Sequence, residues 1–418
     1  MTISKSRSRP ELGERELIAM MAMLMSLQAF GIDAMLPALG AMAADLGASG
    51  NDRQLIIAVY LLGSGLGALV PGAIADRFGR RPVLFFGIIF YFTLSIGCSM
   101  VTDFETLVAM RAIQGFGSAA LTVLPATIVR DRVGGDRMAR MMSLIAMTFM
   151  LVPLLAPAVG QAILTVASWR VIFDAMAVAS AMVGLWVWWR LPESLTPENR
   201  QSLAIRNIGI NMVRGVTDRS ALGYVLGSAL VFGALFGFLN SSQQLIGETF
   251  GAGDDFALVF GAMVIGLVIA NFTNSRIVER FGARRVSHTA LLAIIAVSGV
   301  QVWSASFADQ TLWQFVPLMA INLALLGFIG ANFSSIALQP FMHIAGAASS
   351  GQTFLRMVTG ALLGGAIGQA FDGTARPIAM ALLVCGILAL VVVLWSERGK
   401  LFRRPTPPGT MREIVSSR

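Results

Sequence analysis

The stretch Gly72-Ala73-Ile74-Ala75-Asp76-Arg77-Phe78-Gly79-Arg80-Arg81-Pro82 decides the reading of this chain, because a weaker copy returns 203 positions later. Residues 75–83 align without a gap on 278–286, setting Asp76 on Glu279, Arg77 on Arg280, Gly79 on Gly282, Arg80 on Ala283 and Arg81 on Arg284. Each copy ends one long apolar run and precedes another. An internal repeat is read before any local detail, because it sets the whole architecture. Here it gives two copies of one membrane unit, with a charged turn at the same place in each. Two-fold repeated helical membrane proteins are very often transporters.

Working outward, hydrophobic residues make up 56% of the chain and charged residues 13%, against about 25% charged in globular proteins. A bilayer-spanning helix needs about 20 mostly apolar residues. Twelve such runs are expected, near 17–41, 53–75, 82–101, 104–129, 138–166, 170–190, 221–246, 256–277, 286–306, 312–339, 346–371 and 376–396. The expected fold is therefore an all-α membrane protein with 12 transmembrane helices. Both charged turns follow the second helix of their half, so the halves form two parallel six-helix repeats.

Twelve spans put both termini on one side, and charge assigns that side to the cytoplasm. Of the 31 Lys and Arg residues, 26 then fall in cytoplasmic segments. Only Arg53, Arg170 and Arg376 lie in the opposite loops, and Arg111 and Arg356 lie inside helices. The net charge of +8 is thus topological, facing an anionic inner leaflet, and calls for no nucleic-acid partner. The first run is too long for a signal-peptide core and is read as a retained helix.

The expected organisation is a cytoplasmic tail (1–16), a six-helix bundle (17–190), a cytoplasmic linker (191–220), a second six-helix bundle (221–396) and a cytoplasmic tail (397–418). Cys98 and Cys385 both sit in apolar runs and imply no disulfide framework. His288 and His343 are isolated, so no metal site and no cofactor is expected.

Asp33 and Arg111 are the consequential charges. An ionisable residue inside the bilayer costs about 3 kcal/mol or more and is a functional candidate by default. With the outer end of the first helix placed near Ala41, Asp33 lies 8 residues below it, and Arg111 lies 7 residues into the fourth helix. At 1.5 Å per residue both sit roughly 10–12 Å below the outer surface. Ser26, Phe30, Asp33 and Pro37 share one helical face, as do Arg111, Gln114, Gly115, Ser118 and Thr122. The two faces are expected to line one cavity, with Asp33 and Arg111 coupling transport to protons; a structural salt bridge is the plainer alternative. A substrate entering between them would change whether Asp33 holds a proton.

In the second half, Phe236, Asn240, Gln243 and Gln244 share a face of the seventh helix, and Phe328, Asn332, Ser335 and Gln339 share one on the tenth. Expected substrate contacts are Phe30, Gln114, Phe236, Asn240, Gln244, Asn332, Gln339 and Arg356. Arg356, ten residues into the eleventh helix, either faces the cavity as an anion site or pairs with an acid not yet identified.

The charged turn resembles the signature between helices two and three of the major facilitator superfamily, and the resemblance covers essentially the whole chain. Asp33-Ala34-Met35-Leu36-Pro37, Arg111-Ala112-Ile113-Gln114-Gly115, Ala156-Pro157 and the run from His343 to Ser350 together look like the Bcr/CflA group of drug:H⁺ antiporters. The fifth helix, with Pro153, Pro157 and Gly160, is a partial match to the superfamily's antiporter motif, in which Ala156 replaces a Gly. The resemblance implies the major facilitator fold and export of antibiotic-like compounds against protons. It also implies gating roles for Gly72, Asp76, Arg77, Gly79, Arg80, Arg81, Asp131 and Pro157, with the turn meeting the eleventh helix. It carries no enzymatic activity. The protein is expected to be a monomer in the inner (cytoplasmic) membrane that handles protons and small molecules. The alternative is a metabolite exporter or nutrient symporter.

Overall fold

In a computed structural model, residues 12–133, 135–195, 205–307 and 309–403 are described. Residues 1–11 of the expected N-terminal tail, 196–204 of the linker and 404–418 of the C-terminal tail lie outside them. The first half runs through α1 (Glu14–Asp33), α2 (Leu39–Leu46), α3 (Leu55–Gly67), α4 (Pro71–Phe78), α5 (Arg80–Ser99), α6 (Phe104–Arg132), α7 (Gly135–Phe149), α8 (Val152–Leu164) and α9 (Arg170–Arg190). A linker helix, α10 (Ile205–Thr217), leads into α11 (Arg219–Gln243), α12 (Phe256–Phe281), α13 (Ala283–Ser304), α14 (Leu312–Leu338), α15 (Ala345–Gln369) and α16 (Arg376–Ser396).

Several expected single helices are broken. Proline lacks the N–H that continues a helical ladder. Pro37 therefore leaves the carbonyl of Asp33 without its intrahelical donor, and α1 stops at Asp33, giving way to a 3₁₀ turn, Leu36–Ala38. The span continues as α2 to Leu46, five residues past the expected end at Ala41, so Asp33 lies deeper than the sequence placed it. The second span bends by 43° between Gly67 and Pro71. Ten helices among the described residues are long and apolar enough to cross a bilayer, and eleven if that bent pair counts as one span. The remaining expected run is α15, 25 residues long but outside that group; it carries Gln352 and Arg356. The linker is less open than its composition suggested. Gly215 of α10 lies against Ala348, and its carbonyl accepts from Gln352 Nε2 at 3.1 Å.

The repeat is visible in the packing. In the first half α3 packs on α6, α5 on α6 and α5 on α9. The counterparts in the second half make the same pairs: α12 on α14, α13 on α14 and α13 on α16. The halves meet through α3 with α15 and α8 with α12, an arrangement that exchanges the halves' roles. Small residues let these helices touch at the backbone. A Cβ on Gly115 would lie 2.1 Å from the Tyr60 carbonyl oxygen, and one on Gly160 would lie 2.0 Å from that of Ala34. The second contact seats α8 on the break of the first helix.

Both charged turns make the same backbone move. Gly79 has φ 107° and ψ 154°, and Gly282 has φ 85° and ψ 144°, a region essentially restricted to glycine. Gly72 behaves otherwise. A Cβ there would meet nothing within 4 Å. Gly79→Ala and Gly282→Ala should each destabilise the protein by about 1–3 kcal/mol, read as a lowered melting temperature of the purified protein. Gly72→Ala should leave it unchanged; equal effects at all three positions would contradict this assignment.

Candidate functional site

Asp103 caps α6 by accepting from Thr106 N at 2.8 Å, which fixes where the helix starts and which face turns inward. Arg111, Gln114 and Ser118 on that face have no exposed surface. The Arg111 guanidinium is shared among three helices. It donates from Nη1 to Gln114 Oε1 (2.7 Å), from Nη2 to the Gly31 carbonyl (2.8 Å) and from Nε to the Ile56 carbonyl (3.4 Å). Its Cζ lies 4.1 Å from the centre of the Tyr60 ring, a cation–π contact that is strongest where water is excluded. Gln114 Nε2 then donates to Ser95 Oγ at 2.8 Å.

The last turns of α1 are held by further donors. Tyr91 OH reaches the Leu27 carbonyl (2.7 Å), Tyr60 OH the Gln28 carbonyl (3.3 Å), and Gln28 bonds Ser64. Within this collar Asp33 is only 5% exposed. Among the described residues its carboxyl enters no hydrogen bond and no ion pair. Arg111 bonds the carbonyl two residues before Asp33, on the helix that ends at that residue. No salt bridge joins the two: Arg111 takes the main chain, and Asp33 stays buried without a partner.

At the arginine-poor end, side chains cross between the halves. Arg53 and Glu248 form a two-pronged ion pair at 2.6 and 2.8 Å. Gln54 bonds Gln244, whose Nε2 donates to Asn51 Oδ1 at 2.9 Å. Asn51 Nδ2 donates to the carbonyls of Gln369 and Phe371 at 2.9 and 2.8 Å, and Gln161 Nε2 donates to those of Gly253 and Asp254, both at 3.1 Å. These bonds close that end.

At the arginine-rich end the charged turn bonds within its own half. Arg80 pairs with Asp76 and, at 2.9 Å, with Asp131. Glu193 accepts from the main-chain N–H of Arg80 (2.9 Å) and Arg81 (3.1 Å), capping α5. Arg81 also donates to the Trp188 carbonyl at 2.6 Å, and Arg77 is exposed beside the Phe78 ring. In the second half Arg284 meets Glu397 at 2.7 Å. The turn's expected contact with the eleventh helix is not made by Asp76, which pairs with Arg80.

A cavity of about 340 Å³ lies where the halves face each other, walled by α7 and α8 on one side and by α11, α12, α14 and α15 on the other. Phe149, Met150, Pro153, Phe232, Asn271, Ser334 and Arg356 are among its lining residues. Arg356 alone of the expected substrate contacts lies there. Gln114 is spent on Arg111 and Ser95; Gln244 belongs to the closed end. Asn332 donates to Asn274 Oδ1 (2.7 Å) and to the Phe328 carbonyl (2.8 Å), and Gln339 accepts from Arg284 at 3.2 Å. Phe236 packs against Gly360 and Gly364 of α15. Asn240 is buried with neither amide atom bonded, Phe30 packs on the core, and Pro157 is buried inside α8. Asp33 and Arg111 do not line the cavity.

Sequence reasoning missed Phe232, Asn271, Ser334 and the two collar tyrosines. Ser334 stood next to the chosen Ser335, so the inward face was misjudged by one residue, about 100° of helix. Tyr60 and Tyr91 were legible as buried hydroxyls that must find acceptors.

The sequence profile described as Major Facilitator Superfamily matches residues 20–358. A bicyclomycin resistance protein homolog of Haemophilus influenzae is 28% identical over 375 residues, which is 90% of this chain and 94% of that protein. A multidrug resistance protein MdtL of Klebsiella pneumoniae is 28% identical over 375 residues, covering 89% and 93% of the two chains. The crystal structure of a D-xylose-proton symporter matches with a TM-score of 0.71 at 15% identity, over 92% of this chain and 99% of that one; this likeness is one of fold alone. With the repeat, the paired packing and the charged turns in place, this chain belongs to the Major Facilitator Superfamily.

Proposed function

We propose that this membrane transporter exports small amphipathic compounds, of the antibiotic and drug class, in exchange for protons by alternating access. The observation that carries the reading is Asp33: a carboxyl buried at a helix break, without a partner, two residues from a carbonyl that Arg111 holds. Keeping such a group in a membrane interior costs about 3 kcal/mol or more. Two events relieve it. A proton removes the charge, or a small turn at the break brings the carboxylate to Arg111. Each state suits a different conformation of the break, and Gly160 couples the break to α8 and so to the other half. The names of the relatives support drug export. The xylose symporter shares the fold only, so it does not favour nutrient uptake.

The arginine asymmetry supports a closed end that faces outside, in a bacterial cytoplasmic membrane with both termini in the cytoplasm. The described conformation then faces inward, with the cavity ready to load from the cell. The protein works as a monomer in this scheme, since each half supplies the other's partner surface. Opening outward requires the Arg53–Glu248 pair and the glutamine contacts beside it to part, while Gly72 and Asp76 close toward α15.

Asp33→Asn removes the proton site and nearly preserves shape. Uncoupler-sensitive export from cells, and substrate-dependent proton flux in proteoliposomes, should fall at least tenfold with membrane insertion intact. Full transport with unchanged proton coupling in that variant would sink the proposal. The closed end gives a second test. An exposed ion pair is worth up to about 1 kcal/mol, roughly fivefold in an equilibrium. Arg53→Gln and Glu248→Gln should therefore each raise, by up to about fivefold, the labelling rate of a cysteine placed at Asn240 by a membrane-impermeant maleimide. The native Cys98 and Cys385 are buried. Labelling that neither substitution changes would remove this pair from the outer gate.

A further inference from the structure

Arg356 is the second guanidinium inside the membrane, and its surroundings differ from those of Arg111. Its Nη1 donates to Ser334 Oγ at 2.9 Å, and its Cζ lies 4.9 Å from the centre of the Phe232 ring. Its Nε is buried and has no hydrogen-bond partner among the described residues. Among the described residues no acid forms an ion pair with it. Of the helices that wall the cavity, α8, α11, α14 and α15 contain no Asp or Glu, α7 contains only Asp136 at its start, and α12 contains only Glu279, two residues from its end at Phe281. The cation therefore lacks the ion partner or saturated set of acceptors that normally accompanies burial.

Arg356 also stands at a junction. It lines the cavity of about 340 Å³, which is mostly apolar near it, and a second cavity of about 170 Å³ on its other side. Arg356 and Ser334 belong to both walls. The smaller cavity adds the hydroxyls of Ser228, Ser349 and Thr353, and Ser228 Oγ is itself buried without a partner. One positive charge and several hydroxyls face the smaller space; Phe232, Phe149 and Met150 face the larger.

We propose that these two cavities form one binding site for amphipathic organic monoanions. A carboxylate or sulfonate lies between Arg356 and the Ser228 and Ser334 hydroxyls, and the apolar body lies against Phe232, Phe149 and Met150. An acceptor-rich anion supplies the partner that the Arg356 Nε lacks, and such charge-assisted bonds are about twice as strong as neutral ones. A single guanidinium matches a single negative charge. A cationic drug would face repulsion here, and a neutral one would gain only the apolar wall. The inference rests on the export reading for its meaning, but not for its test.

The test uses two dyes with the same anilinonaphthalene-type body. One is 1-anilinonaphthalene-8-sulfonate, and the other is neutral N-phenyl-1-naphthylamine. Saturable binding to the purified full-length protein in detergent is measured by equilibrium dialysis against protein-free micelles. The sulfonate is expected to bind at least tenfold more tightly than the neutral dye. Arg356→Gln should remove that preference while leaving neutral-dye affinity within twofold, and Arg356→Lys should retain part of it. Equal affinities for the two dyes in the wild type, or a preference unchanged in Arg356→Gln, overturns the site. Should Arg356→Gln fail to fold, Ser228→Ala and Ser334→Ala decide: a several-fold loss confined to the sulfonate supports the site, and no loss in either overturns it. The outcome is separable from the function above. Loss of the dye preference with uncoupler-sensitive drug export intact removes this site alone. Absence of proton-driven export with sulfonate binding intact removes the export reading alone.

Discussion

The first half is organised around the buried guanidinium of Arg111. A bilayer interior offers no water, so every N–H must find its acceptor within the fold. Arg111 meets this demand with carbonyls of α1 and α3, a side chain of its own helix, and the face of Tyr60. Three helices are thereby fixed at one depth. Tyr60 and Tyr91 reinforce the arrangement by donating to two more α1 carbonyls. The carboxyl of Asp33 is left over at the break that Pro37 creates. Had Arg111 been neutralised by Asp33, a proton would have had to break an ion pair before changing anything. Because Arg111 is satisfied by the main chain, the charge on Asp33 can change without dismantling the collar. That separation lets one residue be structural and its neighbour be the proposed switch.

The two halves share a backbone and differ in chemistry. Gly79 and Gly282 take the same rare conformation, and a carboxylate just beyond each half's last helix closes back on that half's charged turn. Glu193 caps the N–H groups of Arg80 and Arg81, whereas Glu397 pairs with Arg284 and accepts from Tyr224 OH at 2.6 Å. The 203-residue offset puts Ala283 where Arg80 stands, so the second turn cannot bind two acids as Arg80 binds Asp76 and Asp131. Its arginine works one position later instead. That shift gives the two turns unequal ion pairing, although the helices around both turns pack alike.

The architecture was legible because it follows from long apolar runs, one repeated turn and the placement of arginines. None of these depends on which way a side chain points. What the sequence obscured was rotation and closure. A helix that is apolar all round gives no amphipathic signal, so the inward face of α14 was set by its polar residues, and Asn332 was chosen although it spends its amide on Asn274. Ser334, one position from the chosen Ser335, faces the cavity. Gln244 failed for another reason: a polar residue in a span can serve the closure between halves as well as a ligand, and only the partner across the interface, here Gln54 and Asn51, distinguishes the two. No spacing rule could show that Arg111 would choose the Gly31 carbonyl rather than the Asp33 carboxylate.

The two intramembrane arginines make the same point from opposite sides. An arginine in a membrane is held by what satisfies it. Arg111 is satisfied from within, and its surroundings are small, fully buried and closed to any ligand. Arg356 is satisfied only in part, and its surroundings contain two cavities and free hydroxyls. The same offset places Pro153 opposite Arg356 in the repeat, and both line the central cavity. The first half thus presents to that cavity a proline that cannot hydrogen-bond, while the second presents a cation with donor capacity to spare. The two walls, equivalent by the repeat, differ in chemistry: one is apolar and the other carries a cation. On the proposed cycle, the half that manages the proton and the half that reads the substrate are different halves. They meet through α8 on α12 and α3 on α15, the contacts that must slide for the protein to change its open side on that cycle.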